Sequence, residues 1–366
     1  MIFPRRQTKQ IMIGRVPIGG GAPVAVQSMT KTNTHDIEAT AAQIRSLEKE
    51  GCEIVRLAVP DQRAAKALPE IKKRVSLPVI ADIHFDYRLA LASLEAGVDG
   101  LRMNPGTIGG EEKIKKVVWA AKEQKVPIRI GVNSGSLEKD LLGRYGGATS
   151  RAMVESALRH IRLLEDLGFD LIKVSLKASD VARTVEAYRL LAEKVAYPFH
   201  AGITGAGSLF SGAVRSSVGL GILLDEGLAD TIRVSLTAPP EEEVRVAFLI
   251  LESLGLRQRG LRIISCPICG RAEVDMMKIS SAVEKRLAAA RVLAPLTVAV
   301  MGCMVNGPGE AKEADIGLAC GRRAGIIFKR GRLLRRVQEG RIIEEFVDEV
   351  KKMARERESG RKRRHG

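Results

Sequence analysis

The chain is poor in aromatic residues: among 366 residues there are eight Phe, four Tyr and one Trp. Proteins that grip single-stranded nucleic acid stack bases on aromatic faces set among basic side chains, so this scarcity argues against that class. Long apolar runs are also missing. None approaches the roughly 18 residues a membrane span requires, and the opening MIFPRRQTKQIMIG has no apolar stretch ahead of a small-residue cleavage site. The expectation is a cytoplasmic protein with no membrane and no nucleic acid among its partners. The cysteines are Cys52, Cys266, Cys269, Cys303 and Cys320. An odd number of them in a long chain argues against a disulfide framework and for metal or redox chemistry.

What is abundant is positive charge: 59 Lys and Arg against 43 Asp and Glu give +16. Residues 329–366 hold 14 basic and 7 acidic residues, so +7 of the excess falls in a C-terminal stretch. Short Val- and Ile-rich runs begin near Val24, Glu53, Pro78, Val98, Pro127, Asp170, Tyr197 and Asp230. Between them lie stretches of helical period, including 37–50, 152–167, 181–195 and 241–254, the last opened by Pro239-Pro240. Eight alternations in about 250 residues favour an α/β protein with a closed (β/α)8 TIM barrel over residues 1–256. Around residues 255–260 the rhythm changes. A smaller α/β domain, 257–355, is expected to have strands at 261–265, 296–301 and 324–328 and helices at 273–290 and 342–353. Residues 356–366 read as a basic, disordered tail.

The informative charges lie inside the strands. Residues two apart share a strand face, so Lys173, Ser175 and Lys177 oppose Ile172, Val174 and Leu176. Likewise Arg233 and Ser235 oppose Ile232, Val234 and Leu236; Arg102 and Asn104 oppose Leu101 and Met103; Arg129 and Asn133 oppose Ile128, Ile130 and Val132. Asp82 and His84 oppose Val79, Ala81 and Ile83, and Arg56 opposes Val55 and Leu57. In a barrel the apolar set meets the helices and the polar set lines the interior. Buried cations need partners, and Asp82 is the single acid in this set. The pattern therefore predicts a pocket at the strands' C-terminal ends for a small ligand with several phosphate charges, since guanidinium groups bind phosphate bidentately.

Cys266-Pro-Ile-Cys269 is followed 34 positions later by Cys303 in GCMVNGPGE. The candidates are a structural zinc, a redox dithiol or an iron–sulfur cluster. Three thiolates and a weak oxygen ligand suit a [4Fe-4S] cluster with one labile iron, and Glu310 is close enough in sequence to be that oxygen or an ordinary loop carboxylate. Cys52 and Cys320 read as packed core thiols.

With these residues in place, VAVQSMTKTNTHDIEAT, ADIHFDYRLAL, GVDGLRMNPG, IRIGVNSGSLE, ADTIRVSLTAPPEEEV, SCPICGR and VMGCMVNGPGEA resemble the 4-hydroxy-3-methylbut-2-enyl diphosphate synthase family of isoprenoid biosynthesis in its two-domain bacterial form. The resemblance runs from about Arg6 to about Val350. It implies an iron–sulfur oxidoreductase that opens and dehydrates 2-C-methyl-D-erythritol 2,4-cyclodiphosphate with electrons from ferredoxin or flavodoxin, working as a head-to-tail homodimer. Carried over residue by residue, it makes Cys266, Cys269 and Cys303 thiolate ligands and Glu310 a displaceable fourth ligand. It puts diphosphate contacts on Arg56, Arg102, Arg129, Lys177, Arg233 and Ser235, with the catalytic candidates Asp82 and His200, and Asn104 and Asn133, near the sugar-derived part. One position departs from the family's Gly-Ile-Thr-Glu-Ala-Gly: here Gly205 replaces the Glu, leaving Glu226 or His200 as substitutes. The alternative reading is a non-redox, pteroate-synthase-like barrel transferase with a structural zinc domain.

Overall fold

The structure is a computed structural model that describes residues 4–269, 272, 274–290, 292, 294–303 and 307–362. The chain divides into two compact units, Met1–Arg257 and Gln258–Gly366.

The first unit opens with an antiparallel hairpin, β1 (Ile11–Ile13) and β2 (Val16–Ile18). Eight parallel strands follow: β3 (Ala25–Met29), β4 (Ile54–Ala58), β5 (Val79–Asp82), β6 (Gly100–Met103), β7 (Ile128–Asn133), β8 (Ile172–Lys177), β9 (His200–Ala201) and β10 (Thr231–Ile232). Each starts within three residues of its expected position. The sheet closes on itself, because Thr231 of β10 pairs with Ala25 of β3 and Val174 of β8 bridges to Phe199, just before β9. This is the expected TIM barrel.

Around it run α1 (Ile37–Glu50), α2 (Gln62–Lys73), α3 (Tyr87–Glu95), the single turn α4 (Pro105–Ile108), α5 (Glu111–Glu123), α6 (Lys139–Tyr145), α7 (Ser150–Asp166), α8 (Val181–Ala192), α9 (Leu209–Asp225) and α10 (Pro240–Ser253). Several start on an acid or hydroxyl that accepts a backbone amide: Asp36 from Ala39, Asp61 from Ala64, Thr149 from Ala152 and Asp180 from Arg183. Each such cap contributes about 1 kcal/mol and fixes where a strand-to-helix loop ends at the barrel's C-terminal face.

The two faces of each strand divide as the alternation predicts. Ile172, Val174 and Leu176 are fully buried towards the helices, while Lys173, Ser175 and Lys177 are buried on the inner side. At the N-terminal end the interior is apolar: Ile11, Ile13 and Ile18 of the hairpin pack on Ala25, Ile54 and Ile80. Gly100 belongs to this plug, since a Cβ there would lie 3.2 Å from Ile80 and 3.4 Å from Ile13.

The second unit is a five-stranded sheet in the order β11 (Leu261–Ser265), β12 (Leu296–Met301), β13 (Ile316–Gly321), β14 (Ala324–Lys329) and β15 (Arg332–Gln338). The first three strands are parallel and the last two antiparallel. Helices α11 (Met276–Ala289) and α13 (Ile342–Lys362) bury Met276, Val283, Leu287, Phe346 and Val350 on one face, and the short α12 (Gly307–Glu313) covers the other through Ala311. Two strands, β13 and β15, were not expected. Residues 356–362 are also not a disordered tail but continue α13, held by Glu356 to Lys329 (3.1 Å) and Arg357 to Asp315 (3.0 Å). The remaining tail, 363–366, lies outside the described residues.

Candidate functional site: a cationic barrel mouth and a cysteine edge

Strand register assembles the barrel site. Asp82 lies beside Arg102, Arg102 beside Arg129, and Arg129 beside Lys173, so four consecutive strands put one charged row across the interior. Nearer the opening, Asn133 lies beside Lys177. Arg56 joins the row from β4, with its Nε 3.5 Å from Asp82 Oδ2, and Arg102 Nη1 approaches Asp82 Oδ1 at 3.1 Å. Two glycines make room for these long side chains. A Cβ at Gly131 would fall 2.5 Å from Arg102 Nε, and one at Gly202 would fall 2.9 Å from Lys177 Nζ.

Six basic side chains, Arg56, Arg102, Arg129, Lys173, Lys177 and Arg233, face two buried carboxylates, Asp82 and Glu243. Glu243, in the first turn of α10, is the acid that the strand alternation missed. It accepts from Leu236 N (3.0 Å) and Ser28 Oγ (3.3 Å), and it meets Lys31 Nζ at 2.9 Å and Arg233 Nη2 at 3.5 Å. Met29 was missed as well; its sulfur receives Arg56 Nη2 at 2.9 Å. Lys173, noted in the alternation but not among the expected ligand contacts, is 1% exposed.

The positive charge is under-compensated. Burial, then repulsion from Arg56 and Arg102, holds the Arg129 guanidinium well below its usual range. Burial and Arg129 do the same to Lys173 and Lys177, and burial pushes Arg56 down to about 10. Burial alone would raise the Asp82 carboxyl, but Arg56, His84 and Arg102 together hold it well below the carboxylate range. Arg102 Nε, Arg129 Nε and Nη1, Lys173 Nζ and Arg233 Nε have no hydrogen-bond partner among the described residues. Unmet buried donors of one sign fit an anion with many oxygens.

His200 is fully buried, with Nδ1 2.8 Å from Thr231 Oγ1 and Nε2 3.3 Å from Lys177 Nζ. Burial and the Lys177 charge keep the imidazole neutral. Its two ring nitrogens are thus both engaged inside the barrel. Glu226 caps the C-terminal end of α9, at the opposite end of the barrel, and is held by Arg189 (Nε to Oε2, 2.9 Å). Glu226 is therefore too distant to stand in for the carboxylate missing at Gly205, whose own φ of +59° is left-handed. Asn104 Oδ1 is committed to Gly106 N at 3.0 Å, while Asn133 and Ser235 are half-buried. The loop after β7 is tied down at Glu138, which accepts from Ser156 Oγ at 3.1 Å and lies 2.9 Å from His160 Nε2; the His160 contact brings its carboxyl down to about 2. A surface hollow lined by Lys9, Arg162, Glu165, Lys194 and Tyr197 lies by the strands' N-terminal ends, the wrong end for barrel chemistry.

In the second unit, Cys266 follows β11 and Cys303 follows the adjacent parallel β12, so both leave the same end of the sheet; Cys266 N bonds Val300 O at 3.0 Å. The Cys266-Pro-Ile-Cys269 turn bends at Ile268, whose φ of +65° is strained for a β-branched residue. Gly302 fits against α11, where a Cβ would meet Met276 at 2.4 Å. None of the five cysteines is in a disulfide. Burial pushes the Cys52 and Cys320 thiols up to about 12, as inert core groups. Cys269 and Glu310 are exposed. The described residues hold no group of three or more His, Cys, Asp or Glu gathered around a single metal position. As a donor set, three cysteines carried by one strand edge and its turn fit the thiolate demand of an iron–sulfur cluster.

Two family models match nearly the whole chain: GcpE TIM-barrel domain over residues 8–248 and GcpE protein C-terminal domain over residues 262–352. The chain belongs to the GcpE family. GcpE membership spans both units, so the cysteine domain belongs with the barrel. Curated relatives include 4-hydroxy-3-methylbut-2-en-1-yl diphosphate synthase (flavodoxin) of Geobacter sulfurreducens, 58% identical over 96% of this chain and 99% of that protein. The protein of the same name from Caldanaerobacter subterraneus is 56% identical over 97% of this chain and 100% of its own length. Among solved structures, Xanthomonas albilineans dihydropteroate synthase covers 68% of this chain and 99% of its own at 15% identity and a TM-score of 0.47, too distant a likeness to bear on GcpE chemistry.

Proposed function

We propose that the chain is a 4-hydroxy-3-methylbut-2-enyl diphosphate synthase. It converts 2-C-methyl-D-erythritol 2,4-cyclodiphosphate to 4-hydroxy-3-methylbut-2-enyl diphosphate, taking up two electrons and two protons and releasing one water. The observation that carries this reading is the row Asp82, Arg102, Arg129 and Lys173, with its unmet donors inside a barrel. Full-length identity above half to relatives of that name supports it, and does not favour the pteroate-synthase-like transferase.

Arg56, Arg102, Arg129, Lys177 and Arg233 take the diphosphate oxygens, with Ser235 and Asn133 at the opening. At an effective dielectric of about 20, each pair at 4 Å is worth about 4 kcal/mol. Asp82 keeps Arg56 and Arg102 aimed inward, and neutral His200 holds Lys177 from below. Cys266, Cys269 and Cys303, with Glu310 as a fourth ligand, would hold a [4Fe-4S] cluster, which would supply single-electron transfer and a Lewis-acidic iron. Flavodoxin is the donor, as in the relatives' name. A head-to-tail homodimer, expected from the family resemblance, is consistent with the exposed stripe Phe210, Val214, Val218 and Ile222 on α9. Among the described residues no helix is long and apolar enough to cross a membrane.

The test is anaerobic reconstitution with iron and sulfide, then turnover of the cyclodiphosphate with reduced flavodoxin, followed by product analysis. A brown protein that yields the linear diphosphate is expected. A colourless protein that holds stoichiometric zinc after reconstitution sinks the reading.

A further inference from the structure

We propose that strand β15 and the β13–β14 turn form the docking surface for the acidic electron carrier, an inference that rests on the flavodoxin-dependent reading above. Residues 322–341 hold eight basic residues and one acid, Glu339, whereas residues 342–366 hold eight basic and six acidic. The C-terminal charge excess therefore sits on this hairpin, not on the tail.

One end of this hairpin is placed for electron delivery. Because β13 runs parallel to β12, it ends on the edge from which Cys303 departs, and Arg322 and Arg323 occupy the turn that follows Gly321. One strand spacing, about 5 Å, separates those two strands. Gln338 lies opposite Ala324 and Arg332 opposite Lys329, so β15 starts at the far edge and finishes at the cysteine edge, and a carrier lying along it spans both. Arg323 adopts a φ of +61°, as a two-residue hairpin turn requires. Arg323, Arg332 and Arg336 are exposed, and Leu333 and Leu334 between them are 60% and 40% exposed. Arg335 differs, being taken by Glu345 and Glu349 of α13.

An apolar centre with a charged rim has the anatomy of a transient interface. The occupant is not an added strand. Pairing with β14 skips Leu334, placing Arg335 opposite Ile327 and Leu333 opposite Phe328, and a bulge with arginines along an edge wards off strand addition. A second copy presenting this edge would bring like charges together. An acidic flavoprotein meets both features. Each visit passes one electron as the carrier goes from hydroquinone to semiquinone, so two visits serve one turnover, and rim charges favour rapid association.

The test compares Arg332→Glu/Arg336→Glu and Arg323→Glu with wild type, using reduced flavodoxin in one assay and dithionite in the other. The milder Arg332→Ala/Arg336→Ala variant covers a folding defect in the reversal. Expected is a fall of about tenfold or more in flavodoxin-driven kcat/KM, carried by KM and shrinking as salt rises, with dithionite-driven turnover unchanged. Unchanged flavodoxin kinetics, or equal loss in both assays, overturns the docking surface. A shift in oligomeric state on sedimentation also overturns it, by making the edge a subunit contact. Failure of wild type with dithionite strikes the parent reading instead, so the two failures are distinguishable.

Discussion

The barrel mouth and the cysteine edge both end parallel strands, but they hold their chemistry in opposite ways. In the mouth the functional groups are on the strands themselves, so backbone register sets each position and burial raises the cost of every charge. At the edge the thiols sit just beyond the strands, on turns, with Cys269 exposed and Ile268 strained. The first site is organised by the fold before any ligand arrives. The second leaves its thiols on turns, where a bound metal would set their final order.

Four changes break or sharpen this contrast. The largest effect is expected from Cys303→Ser, which should abolish visible colour and turnover after anaerobic reconstitution while leaving the thermal melt of the metal-free protein nearly unmoved. Cys320→Ser should keep the colour; loss of colour there would make the core thiol a ligand. Next, Arg129→Met should weaken substrate binding by roughly 2–5 kcal/mol, read as KM, yet leave the unliganded protein as stable or up to about 4 kcal/mol more stable. A clear drop in its ligand-free melting temperature would mean that the fold itself, and not an anion, satisfies Arg129. The smallest effect concerns Glu138. Its folded carboxyl lies at about 2, below the unfolded value of about 4.3, so its contribution to stability is present above that value and is lost as pH falls towards 2. Glu138→Gln should therefore lower stability modestly at neutral pH and flatten the acid limb of a denaturation profile. Parallel curves for variant and wild type would discount the His160 contact.

The same contrast explains what the sequence revealed. A period of two survives in any strand with distinct faces, so the eight barrel strands and their inward cations were legible from residues such as Arg102 and Lys177. Glu243 was not, because it reaches the site from a helix start, where an acid is ordinary. In the second unit, β15 was hidden because an edge strand written Arg-Leu-Leu-Arg-Arg has no buried face to impose alternation. The helical continuation through residues 356–362 was hidden because its support comes from Lys329 and Asp315, far away in sequence. Cysteine spacing named the candidate ligands, but the neighbouring ends of β11 and β12 had to be seen in three dimensions.

The hairpin at the barrel's lower end has a consequence for traffic. With Ile11, Ile13 and Ile18 stoppering that end, the chamber is a blind vessel: reactant and product share one doorway. Product must vacate before the next molecule can enter, so the linear diphosphate should compete directly with the cyclic one.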